Sequence, residues 1–265
     1  MLNLRRYGLL LLLTACSTPT DSGNQSRIVT FGDSNTDGGW KGATLVANSY
    51  LEPENPAPAS APNNAYTLAG MLDARGIPAV NHGINGTRSG GGRIASGAPN
   101  ALESIGGVTR FEAEVLGLGF PWDGGGPHPI PRLQAFQPGA CDYVYVSIGT
   151  NDGRAANTVT NLRWMMTRWV AAGHAPRHFI VTTLAPARVG TWVNRAIPKA
   201  NNQIRQLAFK GDVMLIDLAQ FTSTDDGGTW RSESLHVGDG VHYAEVVRTW
   251  IADRVSDYVR TQGCQ

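Results

Sequence analysis

Short apolar segments alternate with amphipathic segments along most of this chain, and polar or glycine-rich turns separate them. Segments rich in β-branched and aromatic residues predict five strands, at residues 28–31, 79–81, 143–148, 178–184 and 213–217. Apolar positions at helical spacing predict helices at residues 66–75, 111–116, 133–136, 155–172 and 197–209, and a last helix that ends near residue 260. Strands that alternate with helices predict a mostly parallel five-stranded sheet covered on both faces.

Two long segments interrupt this pattern. Residues 40–64 contain four prolines, which forbid a regular helix, so a long loop is expected there. Residues 93–131 show little periodicity outside the predicted helix at 111–116. Connections of this length are uncommon in compact domains unless they serve a function.

Composition narrows the function classes. The 265 residues, 42% of them hydrophobic, predict one globular domain, and the formal net charge of +1 argues against a nucleic-acid partner. The six histidines form no His-Glu-x-x-His motif, and Pro176 separates His174 from His178, so no metal and no cofactor is expected. The glycine-rich segment at 86–92 lacks the Lys-Ser/Thr that follows in a phosphate-binding loop.

The N-terminus has the features of an export signal. Arg5 and Arg6 precede the apolar residues 9–13, which are too few to span a bilayer. Leu13-Thr14-Ala15-Cys16 resembles a bacterial lipobox, which implies a signal peptide over 1–15, a lipidated Cys16 and a membrane anchor. Residues 16–26 would form a flexible tether and 27–265 the domain. The alternative is an ordinary secretory signal cleaved nearby; either way the protein is exported, to the cell envelope or beyond it.

Export changes the interpretation of the two remaining cysteines. If Cys16 carries lipid, only Cys141 and Cys264 are left to form a disulfide bond in an oxidising compartment. Two unpaired buried thiols are the alternative.

Five polar or glycine residues follow predicted strands. Ser34, Gly86 and Asn151 each lie just after a strand end, and Asp239 and His242 lie in the loop after the last strand. Functional groups of open α/β sheets gather beyond the carboxyl ends of the strands. We therefore expect all five to converge on one edge of the sheet.

These segments resemble the sequence blocks of the SGNH hydrolases, also called the GDSL esterase/lipase family. Gly32-Asp33-Ser34 matches the nucleophile block, Asn85-Gly86 the glycine block, residues 149–152 the asparagine block and residues 239–242 the Asp-x-x-His block. The blocks occur in family order over residues 28–260. The resemblance implies an α/β fold, a three-layer α/β/α flavodoxin-like sandwich.

The same resemblance implies roles for these residues. Ser34 would be the nucleophile, His242 the general base and Asp239 the carboxylate that orients the imidazole. The backbone N–H groups of Ser34 and Gly86 and the side-chain amide of Asn151 would bind the oxyanion. Two features depart from the family pattern: Tyr243 replaces the proline that often follows the histidine, and the long segments 40–64 and 93–131 have no alignable counterpart.

Each assignment has a competitor. Gly83 competes with Gly86 for the oxyanion, and His236 competes with His242 but lacks an aspartate three residues before it. Asp152 is expected to stabilise its turn rather than to react. No Gly-x-Ser-x-Gly elbow surrounds Ser34, which disfavours the α/β-hydrolase fold.

The predicted function is a serine esterase that acts on a small-molecule or glycan ester, with short acyl groups on carbohydrate or cell-wall glycan preferred as substrate. A lipase or thioesterase, an acyltransferase, and a non-catalytic binding protein on this scaffold are the alternatives. Four tryptophans in predicted loops could stack on sugar rings, line an acyl pocket or pack under the loops: Trp40, Trp122, Trp192 and Trp230. The sequence predicts no oligomeric state.

Overall fold

A five-stranded parallel sheet lies at the centre of the protein. The computed structural model describes residues 25–47, 64–84, 89–90, 106–118, 134–152, 155–187 and 191–264. Its strands are β1 Ile28–Gly32, β2 Gly39–Lys41, β3 Thr44–Ala47, β4 Ala79–Gly83, β5 Tyr143–Ser147, β6 Phe179–Thr182 and β7 Met214–Ile216. The central sheet has the order β4-β1-β5-β6-β7, and β2 and β3 form a separate antiparallel hairpin.

Helices connect the strands. They are α1 Ser34–Asp37, α2 Leu68–Asp73, α3 Gly107–Arg110, α4 Ala155–Ala171, α5 Thr191–Gly211, α6 Leu218–Thr222 and α7 Glu245–Gln262. A π-helical turn, Phe111–Val115, continues α3, and two 3₁₀ turns occur at Pro176–His178 and Glu233–Leu235. None of the described helices has both the length and the apolar character needed to cross a bilayer.

The central strands are buried on both faces. In β5, Val144 and Val146 belong to one hydrophobic core, whereas Tyr143 and Tyr145 belong to a second core on the opposite face. Side chains alternate between the faces of a strand, so an uninterrupted apolar strand requires cover on both sides. Helices α4 and α5 cover the first face and α2 and α7 the second. The predicted fold class is therefore confirmed.

The predicted strands all form, but several other predictions need correction. The helix predicted at 133–136 is absent among the described residues of that segment, because the N–H of Phe136 bonds the carbonyl of Glu114 in the π-helical turn. The segment predicted as a loop at 40–64 begins instead with most of the β2–β3 hairpin. Helix α5 starts six residues earlier than predicted and continues through Pro198. Residues 1–24, Gly86 and Trp122 lie outside the described residues.

A disulfide bond joins Cys141 to Cys264, whose Cα atoms are 4.6 Å apart. The bond connects the segment before β5 with the residues after α7. Beside it, the hydroxyl of Tyr143 donates a hydrogen bond of 2.5 Å to the carbonyl of Gly263. Both contacts fasten the C-terminal end of α7 to the amino end of the central strand.

Candidate active site

The turn after β1 places Ser34 at the edge of the sheet. Gly32, the last residue of β1, is beside Ser147 of β5, and a Cβ atom at residue 32 would lie 2.0 Å from the Ser147 carbonyl oxygen. Asp33 then caps α1 by accepting a hydrogen bond from the N–H of Asn35. Ser34 is the first residue of this helix, and its side chain is largely covered, with 7% of the residue exposed.

A turn after Leu235 holds the histidine. The carboxylate of Asp239 accepts hydrogen bonds from the N–H groups of Val241 and His242, at 2.8 and 2.9 Å. These bonds close the turn and leave the second carboxylate oxygen facing the imidazole. That oxygen lies 2.5 Å from Nδ1 of His242.

The three predicted triad residues meet. Nε2 of His242 lies 3.0 Å from Oγ of Ser34, while Nδ1 contacts Asp239. Because Asp239 accepts the Nδ1 proton, the lone pair of Nε2 faces the serine hydroxyl. Burial alone would raise the pKa of Asp239, but the bonds from His242 and Val241 outweigh it and lower this pKa. The arrangement is that of a nucleophile, a base and an orienting carboxylate.

Asp33 links the nucleophile turn to the loop after β5. One carboxylate oxygen accepts the N–H of Asn35 at 3.0 Å, and the other accepts the N–H of Thr150 at 3.2 Å. Burial raises the pKa of Asp33 to about 6, although these hydrogen bonds and the nearby His242 oppose the rise. The residue beside the nucleophile is thus a buried carboxylate that fixes the spacing of two active-site segments.

Asn35 joins the histidine loop, which carries Asp239 and His242, to the turn that carries Ser34. Its side-chain oxygen accepts the N–H of Tyr243 at 3.0 Å, and its side-chain nitrogen lies 3.5 Å from Oγ1 of Thr150. Sequence reasoning missed the roles of both Asp33 and Asn35 as connectors. Their adjacency to Ser34 was a signal, but their partners are more than 100 residues away.

The loop after β5 carries Asn151, the predicted side-chain oxyanion donor. Gly149 has φ 130°, and a Cβ atom there would lie 2.5 Å from the side chain of Thr158, so only glycine fits this turn. Asn151 follows two residues later and is half-buried. Its neighbour Asp152 accepts hydrogen bonds from the N–H and hydroxyl of Ser89 and from the hydroxyl of Thr158. Asp152 therefore stabilises the turn.

The structure also bears on the competing residues. The N–H of Gly83 bonds Oδ1 of Asn81 at 2.9 Å, so it is already committed within the fold. Nδ1 of His236 accepts the N–H groups of Gly238 and Gly240 at 3.0 and 3.1 Å, which assigns this buried ring to bracing the loop. The preferred oxyanion glycine, Gly86, lies outside the described residues, and its role stays a prediction.

Two tryptophans of the predicted loops pack around the histidine loop. The indole of Trp40 stacks on the imidazole of His242, with ring centroids 4.9 Å apart. Trp230 contacts His236 and donates a hydrogen bond of 2.9 Å to the carbonyl of Gly240. The side chain of Trp192 and all of Trp122 fall outside the described residues.

The sheet topology accounts for the position of the site. The chain passes from β1 to β4 on one side and then to β5 on the other, so β1 and β5 flank the point where strand order reverses. Ligands of open α/β sheets bind beyond the carboxyl ends of the strands at such a point. Ser34 follows β1 and Asn151 follows β5. Among the described residues no group of three His, Cys, Asp or Glu side chains could hold a metal ion.

Comparison with known proteins identifies the family. Residues 28–255 match the family model described as GDSL-like lipase/acylhydrolase. The chain belongs to this family. The matched region contains the nucleophile turn, the Asn151 loop and the histidine loop, and the predicted enzyme class, a serine hydrolase of the GDSL type, is confirmed. No curated protein is detectably similar in sequence.

Solved structures of a GDSL-like lipase and of two esterases share the fold. A GDSL-like lipase from Bacteroides thetaiotaomicron superposes with a TM-score of 0.54 at 16% identity, covering 90% of this chain and 89% of that one. An inhibitor-bound aryl esterase from M. smegmatis gives 0.52 at 17% identity, covering 89% and 99%. A mutant of an acetyl-xylooligosaccharide esterase from Geobacillus gives 0.54 at 16% identity, covering 89% and 95%.

The raised pKa of Asp33 predicts a pH-dependent stability. Between the ordinary value of 3.8 and about 6, the folded chain holds a proton on Asp33 that the unfolded chain has released. The contribution of this group to the free energy of unfolding therefore falls as pH rises through that interval. We expect wild type to lose about 2 to 3 kcal/mol relative to Asp33→Asn between about pH 4 and pH 7, measured by urea unfolding.

Asp142→Asn is the matched control of opposite sign. Burial would raise the pKa of Asp142, but the hydrogen bonds from Arg27 and Gly139, together with the charge of Arg27, outweigh burial and lower this pKa. The advantage of wild type over that variant should therefore be lost as pH falls. Parallel stability curves for wild type and Asp33→Asn would contradict the assignment of a raised pKa to Asp33.

Proposed function

We propose that this GDSL hydrolase is a serine esterase that removes short acyl groups, acetyl above all, from carbohydrate or cell-wall glycan. The observation that carries the catalytic part is the continuous chain of contacts from Ser34 through His242 to Asp239, at 3.0 and 2.5 Å. A hydroxyl needs a base within hydrogen-bond reach before it can attack an ester. This chain supplies the base and orients it.

Hydrolysis would proceed in two displacements. In the first, Oγ of Ser34 attacks the acyl carbon as Nε2 of His242 takes its proton, and the imidazolium then protonates the leaving alkoxide. In the second, a water molecule gives a proton to Nε2 as its oxygen attacks the acyl carbon. The C–O bond to Ser34 then breaks, the imidazolium returns that proton to Oγ, and the carboxylic acid leaves. Asp239 stabilises the imidazolium in both steps by holding the Nδ1 proton.

The oxyanion of each tetrahedral intermediate requires hydrogen-bond donors that face the former carbonyl oxygen of the ester. The side-chain amide of Asn151 suits this role because it donates hydrogen bonds without carrying a charge. The backbone N–H groups of Ser34 and Gly86 are the further proposed donors. Asp33 supports the arrangement, since its carboxylate connects the N–H of Asn35 with that of Thr150.

The preference for a short acyl group has two supports. Ser34 is only 7% exposed, and the indole of Trp40 stacks on its partner His242, a degree of cover that favours a small acyl group beside the nucleophile. One protein of the same fold acts on acetylated xylooligosaccharides, by its description. Exported esterases also encounter acetylated glycans.

Export and anchoring are part of the same proposal. Cys16 in Leu13-Thr14-Ala15-Cys16 would carry lipid and hold the domain at a membrane of the cell envelope. The Cys141–Cys264 bond is consistent with an oxidising compartment.

The first test is hydrolysis of nitrophenyl esters of increasing acyl length by the full chain. Activity should be highest on the acetate and fall with chain length, and Ser34→Ala should abolish it. Ser256→Ala, a change at a buried serine of α7, is the matched control and should leave turnover intact. Acetate released from acetylated xylan and from O-acetylated peptidoglycan then separates the two glycan classes.

Other results would point elsewhere. Activity that rises steadily through long acyl chains indicates a lipase, and transfer of acetyl to an added alcohol indicates an acyltransferase. A folded wild type with no activity on any ester favours a binding protein.

Substitution of the oxyanion donor and of the orienting carboxylate gives graded losses. Asn151→Ala should lower kcat by roughly 10² to 10³ if its amide binds the oxyanion. Asp239→Asn should lower kcat by about 10⁴ because the imidazole loses its correct tautomer. Asp253→Asn, at an exposed aspartate paired with Arg75, should have little effect on kcat. Wild-type kcat in Asn151→Ala would exclude that residue as an oxyanion donor.

Lipid attachment is tested in a bacterial host. The wild-type chain should incorporate labelled palmitate and sediment with membranes, whereas Cys16→Ser should do neither. Wild-type protein that is exported without label would instead support ordinary secretion.

A further inference from the structure

The β2–β3 hairpin begins only five residues after Ser34 and brings an aromatic side chain to the catalytic base. The ring of Trp40 lies against the imidazole of His242 with centroids 4.9 Å apart and planes inclined by 29°. Both imidazole nitrogens are already bonded, to Asp239 and Ser34. The indole therefore covers one face of the His242 imidazole, whose two nitrogens already have hydrogen-bond partners.

The backbone near Trp40 is shaped to accept the indole. A Cβ atom at residue 38 would lie 2.9 Å from Nε1 of Trp40 and 2.9 Å from the carbonyl oxygen of Ser34. Only glycine leaves this space free without displacing its neighbours. The stacked position of Trp40 is thus built into the turn that carries the nucleophile.

The buried guanidinium of Arg248 binds the backbone of two segments, the one that carries Trp40 and the one that carries His242. Arg248 of α7 is 1% exposed, and its guanidinium donates to the carbonyl of Trp40 at 2.6 Å and to the carbonyl of Tyr243. Tyr243 follows His242 directly, so one side chain bonds the backbone beside both stacked rings. Burial lowers the pKa of Arg248 to about 10, with the charge of Glu245 opposing the decrease, and the group stays cationic at neutral pH.

Burial of the Arg248 charge is unfavourable for the stability of the folded protein. Among the residues that the structure describes, Arg248 forms no ion pair, and its Nε has no hydrogen-bond partner. Buried charges are normally paired, because a charged group loses its favourable hydration when it leaves water. Two backbone carbonyls are the compensation that Arg248 receives, and they belong to the segments that place Trp40 against His242.

We propose that Trp40 and Arg248 form a brace for the catalytic histidine, in which the Trp40 indole stabilises the imidazolium and Arg248 holds the two rings in contact. The inference rests on the proposed esterase mechanism and adds two positioning residues to it.

The chemistry of the reaction explains why an aromatic face is useful there. When Ser34 attacks, the neutral imidazole becomes a cation for the lifetime of the tetrahedral intermediate. A cation within about 6 Å of an indole centroid is attracted by the negative face of the ring. The contact is stronger in the transition state than in the ground state, so its loss should lower kcat and leave KM nearly unchanged.

Substitutions at Trp40 separate the aromatic contribution from bulk. With nitrophenyl acetate, Trp40→Leu should lower kcat about tenfold, which corresponds to about 1.4 kcal/mol. Trp40→Phe keeps an aromatic face and should lose no more than about threefold. Trp250→Leu is the matched control, because Trp250 stacks on Phe221 and not on the histidine, and should retain wild-type kcat. Unchanged kcat in Trp40→Leu, or an effect on KM alone, would overturn the proposal.

Arg248 is tested in the same way. Arg248→Met should lower kcat about tenfold with KM nearly constant, and Arg248→Lys, which keeps the cation but cannot bond both carbonyls as rigidly, should be intermediate. Arg231→Met is the control, since Arg231 is an exposed arginine that also bonds backbone carbonyls, those of Gln220 and Ser223. Equal losses of kcat in both methionine variants would assign Arg248 a merely structural role.

A spectroscopic measurement keeps the proposal testable without activity. An imidazole stacked on an indole quenches its fluorescence to an extent that depends on the charge of the imidazole, so wild-type emission should contain a pH-dependent component that comes from Trp40. This component should be absent in Trp40→Phe and in His242→Gln, and reduced in Arg248→Met. A component that persists in His242→Gln refutes the contact.

The Ser34→Ala variant separates the two proposals. If Ser34→Ala is inactive but Trp40→Leu has wild-type kcat, the esterase mechanism stands and the brace fails. If Ser34→Ala remains active, the esterase mechanism fails, while the fluorescence measurement still tests the contact.

Discussion

The hydrogen bond between Nε2 of His242 and Oγ of Ser34 joins residues 208 positions apart in the chain, and its 3.0 Å length depends on the whole sheet. Ser34 follows β1, which lies beside the central strand β5, and His242 belongs to a loop after the last strand. Parallel register brings both to the same edge, where Gly32 lies beside Gly83 and Ser147. Burial of the strands on both faces keeps this edge rigid, since close-packed interiors resist small displacements.

The sheet brings the active-site segments close together, and two buried charged side chains then bond those segments to one another. Asp33 accepts N–H groups from the nucleophile turn and the Asn151 loop, and Arg248 donates to carbonyls of the hairpin and the histidine loop. Each charge bonds the backbone of two segments rather than an opposite charge. Such groups cost stability, and a protein tolerates that cost where geometry must be held closely. The site is therefore stabilised by polar connectors around an apolar sheet.

The sequence predicted the parts of this structure that follow from local pattern. β5 was predictable because both of its faces are buried, which requires an uninterrupted apolar run. The predicted strands placed Ser34 and Asn151 after strand ends and His242 in the loop after the last strand, and the family blocks supplied their expected roles. The segment at Phe136 was mispredicted because its N–H bonds Glu114, a partner that periodicity does not show. The β2–β3 hairpin was missed although Gly42, with φ 58°, provides its turn. The four prolines later in residues 40–64 led to the prediction of a loop for the whole segment.

The position of Trp40 has a consequence for how the enzyme would divide its tasks. The imidazole has both nitrogens bonded and one face covered, so an ester must reach Ser34 from the side away from the indole. In the proposed brace, Trp40 of the hairpin then acts on the rate of the chemical step through the ring that it covers. Because the contacts of His242 are made by the protein itself, the acyl and alcohol parts of an ester can be recognised by other residues without altering the base.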